Sequence, residues 1–168
     1  MFTLEKHGMM LKTNNCFVEE ESMEICKLDD NFINQTLQIY KSCLNQKSLS
    51  ESTLKITNSY PYNHIYIAKI KSQVLGMIDY TILSNESYLN NIAILPKYRN
   101  QKIASNLMQN MINMCKNQNV KSISLEVRYS NHVAISFYEK FNFIKLAKRS
   151  NLYSQPTEDG WVMELAIK

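Results

Sequence analysis

From Ser122 to Arg128 apolar and polar residues alternate without a break. Ile123, Leu125 and Val127 point one way; Ser124, Glu126 and Arg128 point the other. A period of two is the mark of a strand with one buried face. Ser130 and Asn131 then offer a helix cap, and a helix is predicted from Asn131 to Phe141. A strand that runs almost directly into a helix, as Leu125 to Phe143 does, restricts the chain to folds in which a sheet carries helices on its faces. The same stretch places a carboxylate, Glu126, on the polar side of an apolar strand and a phenol, Tyr138, on the helix after it.

The flanking sequence extends this pattern. A strand is predicted near Ser22 to Leu28. Asp30 is positioned to cap a helix whose apolar residues fall at Ile33, Leu37, Tyr40 and Leu44, and Ser48 with Glu51 has the spacing of a capping box for a second, short helix. Pro61 closes that region. Two strands, His64 to Ile70 and Val74 to Leu83, flank a Lys71-Ser72-Gln73 turn. Gly76 inside the second marks a bulge or a close backbone approach. Tyr88 to Leu95 is a further strand stopped by Pro96, and Ile103, Leu107, Met111 and Cys115 form one face of a helix from Ile103 to Lys116. Two last strands, Phe143 to Leu152 and Trp161 to Ile167, surround the turn-rich segment Ser154–Gly160. The predicted order is strand, two helices, three strands, helix, strand, helix, two strands. The fold class is α/β, a mixed and mostly antiparallel central sheet flanked by helices. Residues 1–21 lack periodicity apart from a short strand near Cys16-Phe17-Val18 and are read as an N-terminal extension; residues 22–168 form the domain.

The 168 residues, 45% of them hydrophobic, suffice for one domain with a true core. The four cysteines show neither metal-ligand spacing nor a short secreted framework, and are read as reduced thiols of a cytoplasmic protein. His7, His64 and His132 have no metal-ligand spacing either, so no metal is expected. The net charge of +4 comes from scattered lysines, which gives little support to nucleic-acid binding. No apolar run approaches the roughly 18 residues of a membrane span, and Met1 to Lys12 lacks the apolar core of a signal peptide.

Asn90 to Ser105 reads as a strand, a basic loop and a helix start. Helix N-termini present unpaired N–H groups to phosphate, and Lys97, Arg99 and Lys102 add charge. On this segment alone a phosphate cradle and an ordinary exposed turn fit equally well. Glu126 alone is equally a solvated acid or one paired with Arg128, and Tyr138 a core tyrosine with a wet hydroxyl.

Together these residues resemble the Gcn5-related N-acetyltransferases (GNAT), and within them the RimI-like enzymes that acetylate the N-terminal alanine of a bacterial ribosomal protein. Such enzymes carry a Leu-Glu-Val-Arg strand, a Ser-Asn turn and an Ala-Ile-x-x-Tyr-Glu helix. Here these are Leu125 to Arg128, Ser130-Asn131 and Ala134 to Glu139. The resemblance implies that Glu126 is the general base, Tyr138 the general acid and Asn131 a coenzyme A contact. A pyrophosphate loop of the form Gln/Arg-x-x-Gly-x-Gly/Ala falls on Arg99, Asn100, Gln101, Lys102, Ile103 and Ala104, with Ser105 beside it; Lys102 replaces the glycine. The backbone of Ile92, Ala93 and Ile94 would pair with the pantetheine arm. Asn142 stands where the family has a helix-ending glycine. An Arg-x-x-Tyr-Tyr pattern that covers the substrate becomes Arg149-Ser150-Asn151-Leu152-Tyr153, which keeps Tyr153. The resemblance thus implies an acetyl-CoA-dependent enzyme acting on a protein or peptide N-terminus, including that of a ribosomal protein, by direct transfer. A small-molecule amine as acceptor and a non-catalytic coenzyme A-binding module are the competing readings; oligomeric state is not legible.

Overall fold

A computed structural model describes residues 22–168. The elements are β1 (Glu24–Lys27), α1 (Ile33–Cys43), α2 (Glu51–Ser59), β2 (Asn63–Ile70), β3 (Gln73–Leu83), β4 (Glu86–Ile94), α3 (Ile103–Asn117), β5 (Ser122–Arg128), α4 (His132–Glu139), β6 (Ile144–Ser154) and β7 (Thr157–Ala166). Their order is the one the sequence predicts. The strand expected near Cys16-Phe17-Val18 lies outside the described residues.

The seven strands form one sheet in the order β1-β2-β3-β4-β5-β7-β6. Every neighbouring pair is antiparallel except β4 and β5. On one face α3 and α4 bury Leu107, Met108, Met111 and Ile135 against Ile78, Leu125 and Met163. On the other, Ile33, Leu37 and Tyr40 of α1 and Leu54 of α2 pack on Ile65, Ile67 and Met77. Each such Leu or Ile contributes about 1.5–3 kcal/mol by leaving water, so both faces of the central strands are anchored.

Three local expectations are corrected. Asp29, not Asp30, caps the first helical turn by accepting from the Asn31 N–H at 2.8 Å. Ser50, not Ser48, caps α2, accepting from the Thr53 N–H at 3.1 Å, so Glu51 opens the helix instead of closing a capping box. The turn-rich Ser154–Gly160 segment is mostly strand: β6 and β7 pair out to Ser154 and Thr157. Residues Ile144 to Ser150 of β6 are exposed throughout, so it shows no apolar alternation.

Two features of β3 shape the centre of the sheet. Gly76 lies against β4; a Cβ there would meet the Ile94 side chain and come 2.8 Å from the Ala93 carbonyl oxygen. The predicted close approach is therefore real, and a register shift at Ala68/Lys69 lies opposite it. Further along, Asp79 pairs with Asn91 and Tyr80 with Leu89, which leaves Asn90 as an extra residue in β4. This is a β-bulge, in which two residues of one strand oppose one of its neighbour. β4 and β5 pair only over Glu86–Tyr88 and Ser122–Ser124. Past those residues, just before the bulge, β4 has no ladder partner on its β5 side among the described residues.

Candidate active site

The opening between β4 and β5 is flanked by the residues that the sequence singles out. β5 keeps its predicted alternation: Ile123, Leu125 and Val127 are buried, while Glu126 is half-buried on the opposite face. Its partner is Arg149 of β6, whose Nη1 donates to Glu126 Oε1, rather than the adjacent Arg128. Arg128 is occupied elsewhere: its Nη1 donates to Glu158 Oε2 at 3.1 Å and its Nη2 to the Gln155 carbonyl at 2.9 Å. Glu158 also accepts from the Ser130 N–H at 2.6 Å. These hydrogen bonds, then Arg128, hold its carboxyl below the usual range.

Tyr88 of β4, opposite Ser124, reaches the same carboxylate. Burial first, then the Glu126 charge and the hydrogen bond to it, push the Tyr88 phenol up to about 12. Tyr153 lies beside them, its ring 4.2 Å from the Arg128 guanidinium, and burial followed by Glu126 raises its phenol too. Gly160 makes room for this ring: a Cβ there would lie 3.0 Å from Tyr153 Cε2 and would strike Leu152. Tyr138 is 8% exposed, wedged between Phe137 and Phe143. Burial, with Tyr153 adding to it, raises its phenol to about 12. Glu126, Tyr153 and Tyr138 thus share one neighbourhood. Tyr88 and Arg149 complete it; the sheet register brings them there, and while Arg149 opens the Arg-x-x-Tyr-Tyr segment, no local pattern marks Tyr88 or pairs Arg149 with Glu126.

The loop after β4 makes a single turn at Pro96–Tyr98 and reaches α3 through Asn100 and Lys102, both with φ 61°. Lys102 occupies the left-handed conformation that glycine adopts most readily, so the substitution preserves the loop shape at the cost of backbone strain. Among the described residues no side chain caps α3, which leaves the first-turn N–H groups of Ile103, Ala104 and Ser105 available to an anion. Arg99, Gln101 and Lys102 are exposed around them, with Arg99 Nε donating to the Ile94 carbonyl at 3.3 Å. Asn131 caps α4, its Oδ1 accepting from the Ala134 N–H at 3.1 Å. Asn142 ends α4 with φ 66°, as a glycine would. Ala93 and Ile94 are buried by their side chains; the part of this segment that faces the opening is its backbone.

Among the described residues no group of His, Cys, Asp and Glu has the geometry of a metal site. Burial lowers the His64 pKa, and its ring stacks on Tyr80 at 5.1 Å. Cys26, Cys43 and Cys115 are free thiols. No helix among the described residues is long and apolar enough to cross a membrane.

The comparisons with known proteins converge. Residues 33–143 match the acetyltransferase (GNAT) family. The chain is 33% identical over 107 residues to a candidate ribosomal protein bS18-alanine N-acetyltransferase of Bacillus subtilis, covering 64% of this chain and 71% of that one. It is 31% identical over 134 residues to an N-alpha-acetyltransferase of Saccharolobus solfataricus, covering 66% and 80%. Its fold matches the crystal structure of Arabidopsis thaliana NAA60 in complex with acetyl-CoA with a TM-score of 0.78 at 13% identity, over 87% of this chain and 99% of that one.

Proposed function

The chain belongs to the acetyltransferase (GNAT) family and is an acetyl-CoA-dependent N-acetyltransferase; from that premise we propose that its acceptor is the N-terminal α-amine of a protein, such as a ribosomal protein. Glu126 is the general base and Tyr138 the general acid. The observation that carries this reading is the clustering of both groups with Tyr88, Tyr153 and Arg149 at the point where β4 and β5 part. The domain spans residues 22–168, with residues 1–21 as an extension.

Acetyl-CoA supplies the acyl group and a thiolate leaving group. The residues present fit it. The uncapped first turn of α3 with Arg99 and Lys102 suits its phosphates, with Asn100, Gln101, Ile103, Ala104 and Ser105 contributing backbone. The edge at Ile92, Ala93 and Ile94, which has no strand partner on its β5 side among the described residues, suits its amide-bearing arm as an added strand. Asn131, which caps α4, would also contact it.

An α-amine has a pKa near ~8, so at neutral pH it arrives mostly as an ammonium. Glu126 accepts that proton, directly or through one water, and the neutral amine attacks. Tyr138 gives its proton to the departing sulfur. Its raised pKa keeps it protonated across the working range, and Tyr153 covers the acceptor. Three carboxylates around this end of β5 and β7 each have a basic partner: Glu126 has Arg149, Glu158 has Arg128 and Asp159 has Lys148. That balance suits a single α-amine better than a polyamine, which needs a groove of unpaired acids. The free thiols fit a reducing cytoplasm.

The test is mass spectrometry of Ala-, Ser- and Met-initiated peptides, internal-lysine controls and spermidine incubated with the protein and acetyl-CoA. The expected result is one acetyl group on the α-amine of the peptides. Modification of spermidine alone would replace this acceptor with a small amine.

A further inference from the structure

Among the described residues Asp79 is the only buried carboxylate, 7% exposed, and the acid–base chemistry does not use it. An apolar residue would fill its place in β3 at lower cost, since burying a charge is unfavourable unless it is well hydrogen-bonded. Three neutral donors reach it. Tyr40 of α1 donates to Oδ2 at 2.8 Å, Asn91 to Oδ2 at 2.9 Å and Asn90 to Oδ1 at 3.0 Å.

Asn90 and Asn91 are the two bulge residues that oppose Asp79 alone. A bulge presents two side chains to one, and a carboxylate has two oxygens to receive them. The bulge sits one residue, Leu89, beyond Tyr88, the last β4 residue to pair with β5, and immediately before Ile92. Gln46, from the loop between α1 and α2, donates to Asn91 Oδ1 at 3.4 Å and ties that loop to the same point.

We propose that Asp79 is a positioning residue for acetyl transfer: by holding both bulge asparagines it fixes the backbone of Ile92–Ile94 that receives the pantetheine arm. This rests on the reading that acetyl-CoA lies along β4. Asp79 touches no reactant; it acts through the shape of the strand.

The test uses Asp79→Asn in the full chain and two ligands. Acetyl-CoA carries the pantetheine arm; adenosine 3′,5′-bisphosphate has phosphates and no arm. Calorimetry should show acetyl-CoA bound about tenfold more weakly, on the scale of losing a hydrogen bond to a charged group, with the bisphosphate unchanged. Tyr40→Phe removes one donor of the three and should weaken acetyl-CoA less, in the same direction. It carries the test if Asp79→Asn does not fold. Equal losses for both ligands would mark a general structural role and overturn the proposal. So would unchanged acetyl-CoA affinity in the folded variants. A parent chain that binds the bisphosphate but gains nothing from the pantetheine arm would overturn the placement along β4 as well.

Discussion

The Glu126 carboxylate holds the Arg149 guanidinium and the Tyr88 phenol, so the base proposed for acetyl transfer is oriented by its own neighbours. The Arg149 side chain is 58% exposed, and exposed ion pairs contribute little. Arg149→Ala should therefore cost less than about 1 kcal/mol of stability in urea titration; a larger loss would make the pair a structural strut. The phenols give a sharper pH signature. Tyr88 and Tyr138 are raised to about 12 in the folded protein, against roughly 10 when unfolded. Their contribution to stability is intact below pH ~10 and is lost as the pH rises toward ~12, because the unfolded chain ionises first. The urea midpoint should fall between pH 9.5 and 11.5, while phenolate absorbance shows a late-titrating fraction; a flat midpoint would contradict the raised phenol of the buried Tyr138. Glu126 was legible as an acid on an otherwise apolar strand. Its partners were not, because Arg149 lies two strands away and Tyr88 arrives through the parallel β4–β5 register. Asp79 carried a usable signal, a lone acid in the apolar run Val74 to Leu83.

At the scale of elements, β4 is shaped at two points, its middle and its C-terminal end. Gly76 lets it approach β3, and the bulge at Asn90 turns it away from β5. Gly76→Ala should destabilise by about 1–3 kcal/mol, as overpacking does, and should weaken acetyl-CoA binding by displacing Ala93 and Ile94. Denaturant titration and calorimetry on the same sample test both; a stable variant with unchanged affinity would show that β4 tolerates the shift. Lys102 sets up a second comparison. Relief of its left-handed backbone and the greater freedom of unfolded glycine, each about 1 kcal/mol, oppose one another. Lys102→Gly should thus leave stability within about 1 kcal/mol of the parent, whereas Lys102→Val should cost more, since a branched side chain tolerates positive φ least. Equal midpoints for the two variants would show that this position is unstrained. The element order was legible because β5 alternates, β2 and β3 are near-continuous apolar runs bounded by turns, and α1 and α3 each bury one stripe. The ends of β6 and β7 were not, since β6 lies exposed at the sheet edge, and the caps slipped because neighbouring Asp and Ser residues offer equivalent oxygens.

The whole molecule places two helical layers around a sheet that parts at its middle, and ligand binding should be felt globally. At a hundredfold excess over its Kd, acetyl-CoA should add about 2.7 kcal/mol to stability. That raises the Tm by roughly 5–10 °C for a chain of this size. A melt unmoved by millimolar acetyl-CoA would contradict the cleft as its site. Proton transfer from an N-terminal α-amine to Glu126 can be tested by its pH dependence. The rate of acetylation of an Ala-initiated peptide should be followed by mass spectrometry from pH 6 to 9.5 for the parent and for Glu126→Gln. The account predicts a loss of about 10²-fold or more below pH ~7, where the acceptor is an ammonium, narrowing above pH ~8 as the amine deprotonates unaided. Parental rates in Glu126→Gln at every pH would remove Glu126 from the mechanism.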